Sequence, residues 1–194
     1  KAQAKALGFD MSKLSKAPAF LIMMVILVAD QLTKLLVRIH MEMYHSIPIL
    51  EKIFGDTFML THVNNTGASF SIGFSNDLTN RVFFSATTLL ALVFIVYLLW
   101  QSTHRIQIIA FGLIMGGALG NLIDRILLGG VTDFINVDFP DFIMHRFPIF
   151  NIADSSIFIA VCFLIIDMFF VKDAPSASTG IEEQEFSPIQ TKEI

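Results

Sequence analysis

Charge is what this sequence is short of. Only 15% of its 194 residues are Asp, Glu, Lys or Arg, against 54% hydrophobic, whereas a soluble domain carries about a quarter charged residues. That shortage excludes an ordinary water-soluble globule and points to an integral membrane protein. Positive charge is scarcer than negative: 13 Lys and Arg stand against 17 Asp and Glu, for a net charge of −4. No polybasic surface can be built, so nucleic acid is not expected as a partner. Cysteine is almost absent. The single Cys162 lies inside an apolar run, which leaves no material for a disulfide framework or a thiolate metal site and suits an inert thiol. His40, His45, His62 and His145 show no metal-ligand spacing, and neither a metal nor another cofactor is expected.

What is present is four long apolar runs, at about residues 20–39, 82–100, 106–128 and 150–171, each near the roughly 20 residues that cross a hydrocarbon core. The fold class expected is an all-α membrane protein, a four-transmembrane-helix bundle forming one membrane domain over residues 1–194. Residues 1–17 carry Lys1, Lys5, Lys13 and Lys16 and read as a cytoplasmic leader, since the apolar run that follows is too long for a signal-peptide core and lacks a small-residue cleavage site. Four spans put both termini on one side, and the lysines assign that side to the cytoplasm. The loops at 40–81 and 129–149 are then extracytoplasmic. The Ser-, Pro- and Glu-containing tail at 172–194 is expected to be disordered. Phe58, Leu60 and His62 alternate with Met59, Thr61 and Val63, and Ala68, Phe70, Ile72 and Phe74 alternate with Ser69, Ser71 and Gly73. Separated by Asn64-Asn65-Thr66-Gly67, the two stretches predict a small β-ribbon on the bilayer surface.

Polar residues inside the spans are not scattered. Asp30, Gln31, Thr33, Lys34 and Arg38 occupy the outer half of the first span, and Asn121, Asp124 and Arg125 the outer end of the third. Asp133 follows that span, while Asn151 and Asp154 open the fourth. Gly112, Gly116 and Gly120 recur every four residues, a small-xxx-small pattern that admits a close helix neighbour, and Asp124 continues the series, so it points into the bundle and away from lipid. Four pieces of sequence thus converge at one depth.

Two carboxylates about 3 Å apart cannot both ionise, so one acts as a base toward water while the other polarises a carbonyl. Asp133 and Asp154 suit that task, although neither has the Asp-Thr-Gly setting of soluble aspartic proteases. Plainer readings stand beside it. Asn151 and Asp154 suit a helix N-cap and a first-turn acid, Asp133 a loop acid, and Asp124 a buried ion pair with Arg125. Asp30 and Lys34 have favourable i, i+4 pairing, and Asn65-Thr66-Gly67 makes a turn. Two other classes fit the same acids: a proton- or cation-coupled transporter subunit, and a lipid-head-group enzyme in which Asp124, Asp133 and Asp154 hold Mg²⁺. The absence of any repeat between halves speaks against the former.

The chain resembles the lipoprotein signal peptidase (signal peptidase II) family over about residues 18–171. The motifs are Asp30-Gln31-Leu32-Thr33-Lys34, Asn65-Thr66-Gly67-Ala68-Ser69-Phe70, Gly120-Asn121-Leu122-Ile123-Asp124-Arg125, Val131-Thr132-Asp133-Phe134-Ile135 and Phe150-Asn151-Ile152-Ala153-Asp154-Ser155. The resemblance implies a bacterial inner-membrane aspartyl endopeptidase with its site at the extracytoplasmic face. Asp133 and Asp154 would be its catalytic pair. Asn121, Asp124, Arg125 and Asn151 would orient that pair and the substrate, and Asp30, Lys34 and Asn65 would support the pocket. The implied partners are membrane lipid and prolipoproteins whose cysteine already carries diacylglycerol, cut just before that cysteine by a monomeric enzyme without metal. Two departures are small: Ser69 where the family often has alanine, and Thr132 where a valine is common.

Overall fold

The computed structural model describes residues 14–49, 51–55, 57–67, 76–138 and 147–170. Among them are four helices long and apolar enough to cross a membrane: α1 (Ala17–His40), α3 (Asp77–Gln101), α4 (Arg105–Leu128) and α5 (Ile152–Phe170), with a single turn, α2 (Glu51–Phe54), between the first two. Three starts and one stop have clear local causes. Pro18 sits in the first turn of α1, where its missing N–H has no helical partner to lose. The Asn76 side chain accepts hydrogen bonds from the Leu78 and Thr79 N–H groups, so α3 begins at Asp77, five residues before the apolar run that announces it. Asn151 caps α5. At the end of α4, Gly129 takes φ +84°, a left-handed C-cap that only glycine adopts readily.

α4 is the buried centre, and α1, α3 and α5 pack around it. The glycines explain how. A Cβ at Gly112 would lie 2.7 Å from the Ala19 carbonyl oxygen of α1, one at Gly116 2.7 Å from Ile26 Cβ, and one at Gly117 2.5 Å from the Ala153 carbonyl of α5. The two neighbours therefore approach α4 to backbone contact, one on each side. Ala19, Leu92, Leu99, Ile108, Phe111, Met115 and Leu122 fill the apolar core between the helices.

At one end of the bundle lies an antiparallel sheet in the order β1-β2-β3, with β1 Ser46–Pro48, β2 Phe58–Asn65 and β3 Val131–Val137. The first strand of the expected ribbon is β2. The expected second strand, residues 68–74, falls outside the described residues, and β2 pairs with β1 and with β3. The third strand lies in a segment expected to be loop. A register irregularity between Leu60 and Val63 re-aims the end of β2, setting Val63 opposite Asp133 and Asn65 opposite Val131. On the far side of β3, Phe150 exchanges backbone hydrogen bonds with Ile135 at 2.7 and 3.0 Å. This bridge delivers the N-terminus of α5 to the strand that carries Asp133.

Candidate active site

Three polar side chains spaced four residues apart run up one face of α1: Asp30, Lys34 and Arg38. Asp30 and Lys34 are fully buried and paired at 2.8 Å. Lys34 also lies 3.5 Å from Asp124 of α4, as does Arg38. Gln31 donates to the Asp124 carboxylate, at 3.2 Å, and to the Gly120 carbonyl. Asp124 does point into the bundle, but its cations are Lys34 and Arg38 and not the neighbouring Arg125. Consecutive residues on a helix diverge by about 100°, so Arg125 faces elsewhere: over the ring of Phe84 and toward the Gly67 carbonyl, 3.4 Å away. Its Nε is buried without a hydrogen-bond partner among the described residues.

Polar contacts lead from this ladder to two carboxylates. Lys34 donates to Asn121 Oδ1 at 2.8 Å, and Asn121 Nδ2 donates to Asp154 at 2.8 Å. Asn151 and Asp154 form a reciprocal cap at the start of α5: the Asp154 N–H donates to the Asn151 side chain at 3.0 Å, and the Asn151 N–H donates to the Asp154 carboxylate at 3.2 Å, as in a capping box. The same Asn151 gives its Nδ2 to Asp133 at 2.6 Å. Asp30 accepts the Ala153 N–H at 3.0 Å, so a carboxylate from the first helix satisfies an orphan donor of the last. Asn65 also has two roles: its Oδ1 accepts the Gly67 N–H to shape a turn, and its Nδ2 donates to Asp133 at 3.1 Å. The plain readings of Asn65, Asn151 and Asp154 as turn and cap residues thus hold alongside their place at the site.

Asp133 and Asp154 line one cavity of about 530 Å³ with Asn65, Asn121 and Arg125, closed on its apolar side by Val131, Val137, Phe147, Phe150, Phe158 and Ile159. Only 4% of Asp133 is exposed. Burial raises its carboxyl from the ordinary 3.8 to about 7, and the charge of Asp154 adds to the effect, while hydrogen bonds from Asn65 and Asn151 partly oppose it. The arrangement can hold a proton on one acid beside an ionisable partner, with a cation at the edge of an apolar groove.

A family model for signal peptidase (SPase) II matches residues 22–170. The chain belongs to the signal peptidase II family. It is 42% identical over 144 residues to the lipoprotein signal peptidase of Geobacter metallireducens, covering 73% of this chain and 84% of that one. It is 40% identical over 152 residues to the lipoprotein signal peptidase of Bacillus subtilis, covering 77% and 91%. A solved structure described as a bacterial membrane enzyme, obtained by the in meso method at 1.9 Å resolution, superposes with a TM-score of 0.67 at 31% identity, over 79% of this chain and 94% of that one. A second such structure, at 2.3 Å, gives a TM-score of 0.68 at 31% identity, over 81% and 93%.

In this signal peptidase II chain the nine candidate site residues lie in one connected region. Asn65, Asn121, Arg125, Asp133 and Asp154 face the cavity, Asn151 joins the two acids, and Asp30, Lys34 and Asp124 stand behind them. Two features have no role in the sequence reading. One is Thr132, whose backbone N–H is held by Asp124 at 3.0 Å and whose hydroxyl accepts from Arg38 at 3.0 Å. The other is a second polar cluster at the opposite end of the bundle, where buried Asp167 of α5 meets His104 at 3.0 Å and Gln107 at 2.6 Å. A lone acid in the apolar run 157–170 was the available signal for that cluster.

Proposed function

We propose that this protein is an aspartic endopeptidase of the membrane that removes the signal peptide from lipoprotein precursors, with Asp133 and Asp154 activating the water. The carrying observation is the single cavity in which two carboxyls, tied together through Asn151, meet an apolar groove. Asp154 accepts hydrogen bonds from Asn121 Nδ2 and from the Asn151 N–H and sits in the first turn of α5. Asp133, raised to about 7, keeps the proton. In the first step Asp154 takes a proton from water as its oxygen bonds to the scissile carbonyl carbon, and Asp133 donates its proton to the carbonyl oxygen. In the second step the tetrahedral diol collapses: the C–N bond breaks, the proton held by Asp154 passes to the leaving amine, and Asp133 takes a proton back from a diol hydroxyl as the new carboxyl C=O forms. Arg125 is placed to hold a peptide carbonyl of the substrate.

The substrate is a precursor whose cysteine carries diacylglycerol, cut before that cysteine. Its acyl chains lie in the outer leaflet against the apolar side of the cavity, with the sheet end extracytoplasmic, both termini cytoplasmic and the enzyme monomeric. The test uses purified protein and a synthetic diacylglyceryl-modified precursor peptide. Cleavage before the cysteine is expected, together with loss of at least about a thousandfold of kcat, the scale of removing one member of a catalytic unit, in both Asp133→Asn and Asp154→Asn. Full activity in either folded variant overturns the assignment.

A further inference from the structure

We infer that Arg38 and Thr132 form a positioning pair for Asp133, a second arm by which α1 sets the geometry of the two acids. The inference rests on the catalytic role proposed for Asp133. Thr132, only 3% exposed, immediately precedes that residue, and each of its polar groups is held by a different element. Its N–H donates to Asp124 of α4 at 3.0 Å, its hydroxyl accepts from Arg38 of α1 at 3.0 Å, and its carbonyl accepts from Asn151 at the cap of α5, at 3.4 Å. The peptide unit from which the Asp133 side chain springs is therefore pinned on three sides.

Charge gives Arg38 a second reason to be there. Asp30, Lys34 and Asp124 by themselves leave one buried negative charge in excess. Arg38, at 3.5 Å from Asp124, brings the set to two acids and two cations. Partial exposure, 25% of its side chain, lets it do so without the full cost of burying a guanidinium. The ladder on α1 then has two outputs. Lys34 reaches Asp154 through Asn121, and Arg38 reaches Asp133 through the Thr132 hydroxyl.

An ångström of displacement in a reacting group is worth up to about a hundredfold in rate, and the pair acts on that displacement. Arg38→Gln and Thr132→Val should each lower kcat about tenfold, within that range, with KM changed less than about twofold. The double variant should be no slower than the slower single one, because both remove the same link. Thr132→Ser, which keeps the hydroxyl, should restore kcat. Rates are taken per folded molecule, counted by gel filtration in detergent; near-isosteric Thr132→Val keeps the test readable if Arg38→Gln does not fold. An unchanged kcat in Thr132→Val, or effects that multiply in the double variant, overturns the pair. Asp133→Asn runs in the same assay: activity there overturns the catalytic role of Asp133, whereas an inactive Asp133→Asn beside a fully active Thr132→Val overturns only the positioning arm.

Discussion

Asn151 donates to Asp133 across 2.6 Å while it exchanges two backbone-to-side-chain hydrogen bonds with Asp154. One amide side chain thus fixes the relative position of both acids and starts the helix that carries one of them.

Asn151→Ala removes the cap and the clamp together. The cap alone is worth about 1 kcal/mol, so the thermal midpoint in detergent should fall by a few degrees. Loss of the donor to Asp133 should cost about a hundredfold or more in kcat, the scale of losing one preorganised donor. A variant that loses stability but cleaves at the wild-type rate per folded molecule contradicts the clamp.

The raised Asp133 carboxyl makes a statement about pH. Between the ordinary value of 3.8 and about 7 the native state holds a proton that the unfolded chain has released, so folding stability declines as pH rises through that window and levels off above it. Asp133→Asn cannot ionise and should lose this dependence, becoming more stable than the wild type near pH 8. For activity, kcat/KM should decrease as pH climbs past about 7, because the acid that protonates the carbonyl is lost. Melting curves from pH 5 to 8 and initial rates over the same range read both effects.

Replacing Asp124 should lower stability more than the cleavage rate. Asp124→Asn leaves Lys34 and Arg38 short of a buried anion, and breaking such a set costs about 3–5 kcal/mol. Arg125→Gln should be far milder in stability, since Arg125 is not its partner, and should instead raise KM. Equal loss of stability in the two variants would contradict the pairing with α1.

Close packing along α4 should be intolerant of a single methyl group. Gly112→Ala and Gly116→Ala each place a Cβ within 2.7 Å of α1 atoms, which forces the helices apart and should cost about 1–3 kcal/mol. Gly129→Ala meets open space, and its penalty is only the left-handed conformation, about 1–2 kcal/mol. Thermal midpoints compared in one detergent, with the Asp30–Lys34 region probed by the cleavage rate, separate the two cases: the helix-packing variants should lose activity and the cap variant should keep it.

Much of this architecture was legible from residue order because membrane helices announce themselves by length and apolarity, and because acids in such helices have few places to go. The series Gly112, Gly116, Gly120 and Asp124 foretold a close, polar-topped contact, and α1 provides the other side of it. The sheet was harder to read. Along Val131–Val137 apolar and polar residues share both faces: Val131, Asp133 and Ile135 on one, Thr132, Phe134 and Asn136 on the other. The period of two that marks a half-buried strand is therefore blurred. β1 has three residues, too few for any period. Asp124 and Arg125 are adjacent in sequence but not paired in space: Arg125 turns to the cavity, and the cations beside Asp124, Lys34 and Arg38, come from α1. Asp167 went unnoticed as a single polar letter in an apolar run, whose partners His104 and Gln107 are visible only once α4 and α5 are packed.

The hydrogen bond from Ala153 to Asp30 joins the last membrane helix to the first, and it sits one residue from Asp154. The start of α5, and Asp154 with it, is thus held by a side chain from α1 as well as by Asn121 of α4. Under the proposed mechanism the two acids come together only through the docking of α5 against both helices, so packing within the membrane, and not the sheet alone, assembles the site.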